Sequence, residues 1–508
     1  ALSSAASDVY KRQMIERICP RCRVPMNGDK CVKPNCGCAT KMSSTIYWCE
    51  NCNVPIYEKF CPKCGKEGKY VTTDIRPVFP EENALISIIL KNDPVKYQKS
   101  SVWCGNGVYI IDGKKVRLSV SKVNALPIEE IKLIKEKYDA FANGIKYDFF
   151  DQHIKNFVEA NKDRYNYITE EAVSFIQKYE NKYAIEDMMV SFSGGKDSTV
   201  TSHLVNRALG TNKVLHVFCD TTLEFPYTLE YKKRFNKNEE SQGVRVLTAK
   251  NREKNFEQLC DVVGPPSRVM RWCCTVFKTG AIQKTIASAF KDQKNILSFQ
   301  GIRRSESLSR SKYERESESP KISKQTVASP IINWIDFDVW LYILTTKIDF
   351  NYAYRLGWTR VGCWCCPNNG GWSEFLAKIH MYDQYEHWHS LLVNFAQKIG
   401  KPDPEEYINE GGWKARQGGN GLEAAQTSVV SFEPCATDDK VFNYELQRPI
   451  TEELYKLFKP FGYINKELGN KRLGEVYVMN KAGKVLLVLQ GRLGSAKLKV
   501  TIKDVHIA

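Results

Sequence analysis

No apolar run in the 508-residue sequence approaches the roughly 18 residues that a membrane-crossing helix needs, which excludes such a helix within it. The G-x-x-x-x-G-K-[ST] spacing of a Walker phosphate loop is missing too, so that nucleotide-binding class drops out. The opening residues 1–13, "ALSSAASDVYKRQ", carry no apolar core and give no secretory signal. Negative charge is in deficit: 58 Asp and Glu against 74 Lys and Arg leave a formal +16, and the pI is near 9.0. That balance favours an anionic partner, a nucleic acid or a charged nucleotide. A hydrophobic fraction of 43% and a mean hydropathy of −0.41 predict a soluble, cytoplasmic chain with no membrane partner.

Cysteine, by contrast, is plentiful. Eighteen of them without an export signal argue for metal chemistry in a reducing compartment rather than for disulfides. Nine lie between residues 19 and 64, and five more form "RWCC" and "GCWCCP". An internal repeat organises the first group: "CPRCRVPMNGDKC" at 19–31 matches "CENCNVPIYEKFC" at 49–61, with "VP" in register. Each half closes on a further cysteine, giving the ligand sets Cys19, Cys22, Cys31, Cys36 and Cys49, Cys52, Cys61, Cys64. One Cys-x2-Cys hairpin holds one side of a tetrahedral zinc and a second completes it, so a short segment folds without a core of its own. Two zinc ribbons are therefore expected over residues 14–70; Cys38 is left over and could replace Cys36.

Residues 1–13 resemble translated transposon-adaptor sequence and are set aside. Residues 71–145 predict a small mixed α/β module with a hairpin turning at Asp112-Gly113, and no chemistry is visible in it. Over 146–430 the strand-like runs "MMVSF", "VLHVF", "VRVLT" and "ILSFQ" alternate with amphipathic stretches of helix length, which predicts an α/β domain with a mostly parallel sheet. His387 and His389 flank Trp388 on a helical stretch and read as a helix face rather than as ligands. Residues 431–508 predict a last small α+β unit.

The first of those strands runs into "SFSGGKDSTV" at 191–200, and a helix with apolar positions Val200, Leu204, Val205 and Ala208 follows. Strand, glycine-rich loop and helix start bring backbone N–H groups and a positive helix end to one point, a geometry that binds phosphate. The loop resembles the PP-loop of ATP pyrophosphatases, which cleave between the α and β phosphates. That resemblance implies that Ser191, Ser193, Gly194, Gly195 and Ser198 cradle the nucleotide, that Lys196 neutralises pyrophosphate, and that Asp197 helps hold Mg²⁺.

Further matches between about 150 and 370 resemble the phosphoadenosine phosphosulfate (PAPS) reductase branch. "FCDTTLEFPYT" resembles its second strand-end motif, with Asp220 near the nucleotide; "RWCCTVFK" its tandem cysteines; "GIRRSESLSR" its anion loop; "INWIDFDVWLYI" its helix leading to "VGCWCCP". Arg303, Arg304 and Arg310 offer planar forks for sulfate or phosphate oxygens. The resemblance implies one [4Fe–4S] cluster on Cys273, Cys274, Cys363 and Cys366, with Cys365 as a substitute ligand; four thiolates suit that chemistry. The rival is a third zinc, against which adjacent ligands count.

The chain departs from the reductases in two respects. They have a degenerate loop without the lysine and a nucleophilic cysteine in a Glu-Cys-Gly-x-His tail, whereas this sequence keeps "SGGKDS" and has no such tail. ATP sulfurylase small subunits keep the loop but lack the cluster cysteines; DNA-phosphorothioation enzymes and some tRNA thiolases combine both features. The expected function is an ATP-to-AMP pyrophosphatase that activates an oxygen for replacement by sulfur. The acceptor would be tRNA or DNA, and the sulfur would come from a donor protein or sulfide. The alternatives are a PAPS or adenylylsulfate reductase releasing sulfite, with PAPS as substrate, and a zinc-ribbon nucleic-acid binder whose loop senses nucleotide.

Overall fold

A computed structural model describes residues 16–19, 31–34, 36, 41–237, 243–307, 310–319, 322, 324–415, 431–435, 438–446 and 449–504. The adaptor-like segment 1–13, Cys22 and Cys38 lie outside the described residues. The chain divides into two compact units, one of residues 1–259 with 272–389, the other of 260–271 with 390–508.

In the first unit, β1 (Glu16–Ile18) pairs antiparallel with β2 (Lys41–Ser43). A three-stranded sheet follows: β3 (Ile46–Cys49) at its centre, flanked by β4 (Val54–Ile56) and β5 (Lys69–Thr72). Next, β6 (Arg76–Pro77), β7 (Val102–Gly105), β8 (Val108–Ile111) and β9 (Lys114–Val116) form an antiparallel sheet. The β8–β9 turn is the predicted Asp112-Gly113, whose φ values of 49° and 79° suit a tight hairpin and favour this residue pair. Helices α1 (Asp148–Ala160) and α2 (Lys162–Gln177) lead to the main sheet.

That sheet has the order β12-β11-β10-β13-β15-β14, with β10 Met188–Phe192, β11 Leu215–Asp220, β12 Val246–Lys250, β13 Ile296–Gln300, β14 Glu316–Glu318 and β15 Gln325–Ala328. All pairings are parallel except β14–β15. Met188, Met189, Val190 and Phe192 of β10 are buried, as a central strand covered on both faces requires. The chain leaves β10 towards β11 on one side and later returns to β13 on the other. The C-terminal end of β10 is therefore a topological switch point, where open α/β sheets leave a crevice for ligands.

Helix α3 (Lys196–Leu209) buries Val200, Leu204, Val205 and Ala208 and ends at Gly210, whose φ of 60° gives the left-handed cap. Helix α4 (Asp336–Thr346) buries nearly every side chain of its first two turns. The second unit is built on an antiparallel sheet of six strands, two of which, Glu475–Met479 and Val485–Gln490, form the expected hairpin; its core holds Val478, Leu487, Leu489 and Val500.

One expectation changes. The second ribbon does not stand free of a core: Trp48, Val54, Ile56 and Tyr57 share one with Phe157 of α1 and Phe337 and Leu341 of α4. Asn161 fastens it further, accepting the Tyr57 N–H at 2.9 Å and donating to the Pro55 carbonyl at 3.0 Å. The Arg164 guanidinium covers the Tyr57 ring at 3.9 Å while paired with Asp338 at 2.8 Å.

Candidate nucleotide and metal sites

Beyond β10 the chain turns through Ser193, Gly194 and Gly195 into α3. Gly194 has φ 71°, and a Cβ there would meet the Thr228 methyl at 3.0 Å, so both backbone and space demand glycine. The Ser193 N–H donates to Ser198 Oγ at 3.2 Å, and Ser198 Oγ donates to the Gly195 carbonyl at 2.8 Å. Two residues from afar brace the loop: Asn351 Nδ2 donates to the Gly194 carbonyl at 3.2 Å, and the Lys196 N–H donates to Tyr354 Oη at 3.0 Å. A Cβ at Gly301 would lie 2.6 Å from the Asp197 carbonyl, so the segment after β13 can approach only as glycine.

The loop's charges are not displayed to solvent, as an open polar turn would display them. Lys196 is 4% exposed, with its Nζ 3.1 Å from Asp197 Oδ2 and 3.2 Å from Asp336 Oδ1. Arg303 is equally buried, its Nε 2.6 Å from Asp197 Oδ1 and its Nη2 2.7 Å from Asp336 Oδ1. Burial alone would discharge Lys196, but Asp197 and Asp336 outweigh it and hold its pKa above the ordinary value. Burial likewise pushes Asp336 up, yet Lys196 and Arg303 bring it down to about 2.

The tandem cysteines occupy an unusual helix start. Cys274–Thr279 form a π turn that passes into α5 (Gly280–Ala289); such wide turns concentrate at functional sites. Across from them, Trp364 N–H donates to the Leu223 carbonyl at 3.0 Å and Thr221 Oγ1 contacts Cys363 Sγ at 3.5 Å, so the β11 loop holds the "CWCC" loop in place. The Cys273 thiol is pushed far up, first by its hydrogen bond with Cys274, then by burial and by the charges of Cys274, Cys363 and Cys366. Cys273 thus lies within electrostatic reach of Cys274, Cys363 and Cys366. A fifth, Cys219 at the end of β11, was not anticipated: burial raises its thiol to about 12, with Lys278 opposing and Cys363 among its neighbours.

Among the described residues, two cysteine groups draw their sulfurs within 4.8 Å of one another: Cys49, Cys52, Cys61, Cys64 and Cys19, Cys31, Cys36. Separations of 3.5 Å for Cys49–Cys64, 3.8 Å for Cys52–Cys61 and 3.5 Å for Cys19–Cys36 approach the roughly 3.8 Å that a tetrahedral ion with 2.3 Å metal–sulfur bonds imposes. These groups can hold a metal ion.

The sequence profile of the phosphoadenosine phosphosulfate reductase domain matches residues 187–369. Two uncharacterized proteins of Methanocaldococcus jannaschii are similar beyond it. One is 32% identical over 58% of this chain and 60% of its own length; the other is 30% identical over 60% of this chain and 68% of its own. Residues 187–369 belong to the PAPS reductase family. An adenosine 5′-phosphosulfate reductase of Geobacillus sp. is 25% identical over 39% of this chain and 85% of its own length. The chain thus spans only about 60% of the first archaeal relative.

Within the PAPS reductase-family domain the remaining predicted residues separate. Ser191 is half-buried on β10. Asp220, at the end of β11, accepts the Thr222 N–H at 2.9 Å and pairs with Lys250 at 2.9 Å. Arg304 donates to the Tyr313 carbonyl at 2.9 Å and to Asn333 at 2.8 Å, and Arg310 pairs with Glu306. Burial and the like charge of Arg360 lower the Arg310 pKa, so these two cations stand near each other. His387 pairs with Glu257 at 2.8 Å on an exposed helix face, as expected. Asp336, Tyr354, Asn351, Arg360 and Cys219 escaped the sequence reading. The "WIDFDVW" stretch, acidic in an otherwise apolar helix start, was the one available signal, for Asp336.

Proposed function

We propose that the chain binds Mg·ATP at the C-terminal end of β10 and releases pyrophosphate, transferring AMP to an acceptor oxygen. A sulfur nucleophile then bonds to the atom that carries this oxygen, carbon in a base or phosphorus in a phosphate, as that atom's bond to the adenylate oxygen breaks and AMP leaves. What carries this reading is the intact strand–"SGGKDS"–helix unit at the switch point, with Lys196 and Arg303 converging on it. In its catalytic role Lys196, helped by Arg303 and by Arg310, neutralises charge on the departing pyrophosphate, a task that fixed cations in a water-poor site perform well. Ser191, Ser193, Gly194, Gly195, Ser198, Asp220 and Arg304 complete the nucleotide site, and Asp197 shares Mg²⁺.

Cys273, Cys274, Cys363 and Cys366 would hold a [4Fe–4S] cluster; when bound, it supplies a place for sulfur to bind or be relayed. The chemistry of the donor set fits: four thiols on two facing segments, two of them adjacent, favour a cluster over a single zinc. Cys49, Cys52, Cys61 and Cys64 fit a structural zinc, and Cys19, Cys31 and Cys36 fit another with Cys22 as the fourth ligand. The +16 charge supports a nucleic-acid acceptor, tRNA or DNA, in the cytoplasm. A second reading, reduction of PAPS or adenylylsulfate to sulfite, is favoured by the relative named as an adenosine 5′-phosphosulfate reductase. Anaerobic incubation with ATP and separately with PAPS tests both: pyrophosphate in the first with no sulfite in the second supports thiolation, and the reverse supports reduction.

A further inference from the structure

Asp74 has none of the roles above. It lies between β5, the last strand of the second ribbon's sheet, and β6. Its Oδ2 accepts the Asp336 N–H at 3.0 Å, and its Oδ1 accepts those of Phe337 at 3.0 Å and Ile75 at 2.8 Å. Asp336 and Phe337 open α4, and N–H groups at that position have no partner inside a helix. Asp74 is thus an N-terminal cap supplied from 262 residues earlier in the chain, with its charge at the positive helix end. The side chain of Asp336 in turn holds Lys196 and Arg303. One carboxylate fixes the stance of a second, and the second fixes the two cations of the phosphate loop. The ribbon that delivers Asp74 is locked to the same helix through Phe337 and Leu341.

A charge count gives this arrangement a consequence. Lys196 and Arg303 pair with Asp197 and Asp336, Arg303 also with Glu306 at 3.9 Å, and Arg303 alone of the two cations opposes the charge of Asp74, in an interior where an unpaired charge is costly. Once both cations turn to phosphate oxygens, Asp336 loses its partners and Asp74 loses the charge that opposes its protonation. The charged groups around Asp74 are Asp336 on α4 and Arg303 after β13, with Lys196 and Arg76 acting on Asp336; β7 brings only Gly105 against its carbonyl. Burial and the Asp336 charge raise the Asp74 carboxyl to about 7. Burial also works on Asp197 and Asp336, but the two cations outweigh it and keep both low.

We infer that Asp74 is a positioning residue for the nucleotide site: it clamps the first turn of α4 so that Asp336 aims Lys196 and Arg303, and it takes up a proton when those cations transfer to bound phosphate. This rests on the ATP-binding reading. The test is calorimetric titration of Mg·ATP into the full chain at pH 7.5, in two buffers of different ionisation enthalpy, for wild type and Asp74→Asn, with steady-state pyrophosphate release beside it. Wild type should take up roughly half a proton per nucleotide, as a group titrating near 7 does when its pKa rises. Asp74→Asn should take up almost none, and its kcat should fall about tenfold with KM for ATP nearly unchanged, the signature of misaimed groups rather than lost binding. ATP binding by wild type without proton uptake overturns the inference, as does an Asp74→Asn variant with wild-type uptake and kcat. Should that variant not fold, the wild-type proton count decides alone. A flat isotherm with wild type sinks the ATP reading itself, and this inference with it.

Discussion

At the phosphate loop each buried cation already faces a carboxylate: Lys196 has Asp197 and Asp336, and Arg303 has the same two. In the cysteine pocket the thiols of Cys219, Cys273 and Cys363 are all raised; Lys278 opposes the shifts of Cys219 and Cys363, and a Thr221 hydrogen bond also opposes that of Cys363. A ligand at the loop must therefore compete with ion pairs that exist before it arrives. A metal group in the pocket must instead displace protons, as thiolate ligation always does. One site is pre-aimed and already ion-paired; the other is assembled by what it binds.

Replacing Lys196 by alanine breaks the first site hardest. Pyrophosphate release should fall by about 100-fold or more, since a preorganised charge is lost. Because Asp197 and Asp336 would be left to Arg303 alone, thermal unfolding should also shift by about 2–3 kcal/mol of stability. A variant as stable as wild type would mean that the ion pairs contribute nothing to the fold.

The pocket is tested by metal analysis of anaerobically prepared protein. About four iron and two zinc per chain are expected from the ligand counts, and Cys363→Ser should lose most of the iron while keeping the zinc. Three zinc and no iron would reassign the pocket as a structural site.

Acid separates the two sites more gently. Asp336 is held at about 2 against an ordinary value of 3.8, so it contributes stability that is complete above about pH 4 and lost as pH falls through about 2. That contribution is roughly 2 kcal/mol. Asp336→Asn should flatten this part of the stability-against-pH curve; an unchanged curve would show that the loop is not balanced through Asp336.

The smallest effect concerns the acceptor. If tRNA or DNA is bound, the logarithm of its affinity should fall linearly with that of salt concentration, with a slope set by the phosphates neutralised. A salt-insensitive affinity would point to a small substrate. Deleting residues 14–70 is no clean probe of this, because the second ribbon is part of the core that carries α4.

What the sequence made legible was local. The apolar spacing of Val200, Leu204, Val205 and Ala208 marked α3, the Asp112-Gly113 pair marked its hairpin, and the thirty-residue cysteine repeat marked both sulfur groups. What stayed hidden depends on partners far apart in the chain. Asp74 meets Asp336 across 262 positions, and Tyr354 reaches the Lys196 N–H across 158. The burial of Lys196 was invisible for the same reason, since a lysine between glycine and aspartate reads as exposed until Arg303 and Asp336 arrive. The embedding of the second ribbon left a faint trace: Tyr57 stands where the first repeat has Asn27, a bulky aromatic ring in place of a small polar side chain.

The π turn at Cys274–Thr279 makes chain length itself a determinant of the pocket. Such a turn carries one residue more than an α-helical turn, and each residue of an α-helix advances about 100° around the axis. Removing a single residue there would let the segment relax into plain α-helix. Cys273 and Cys274 would then swing by about 100° relative to α5, away from Cys363 and Cys366, although every cysteine would still be present. A one-codon deletion would thus unmake the site without touching any of its sulfurs.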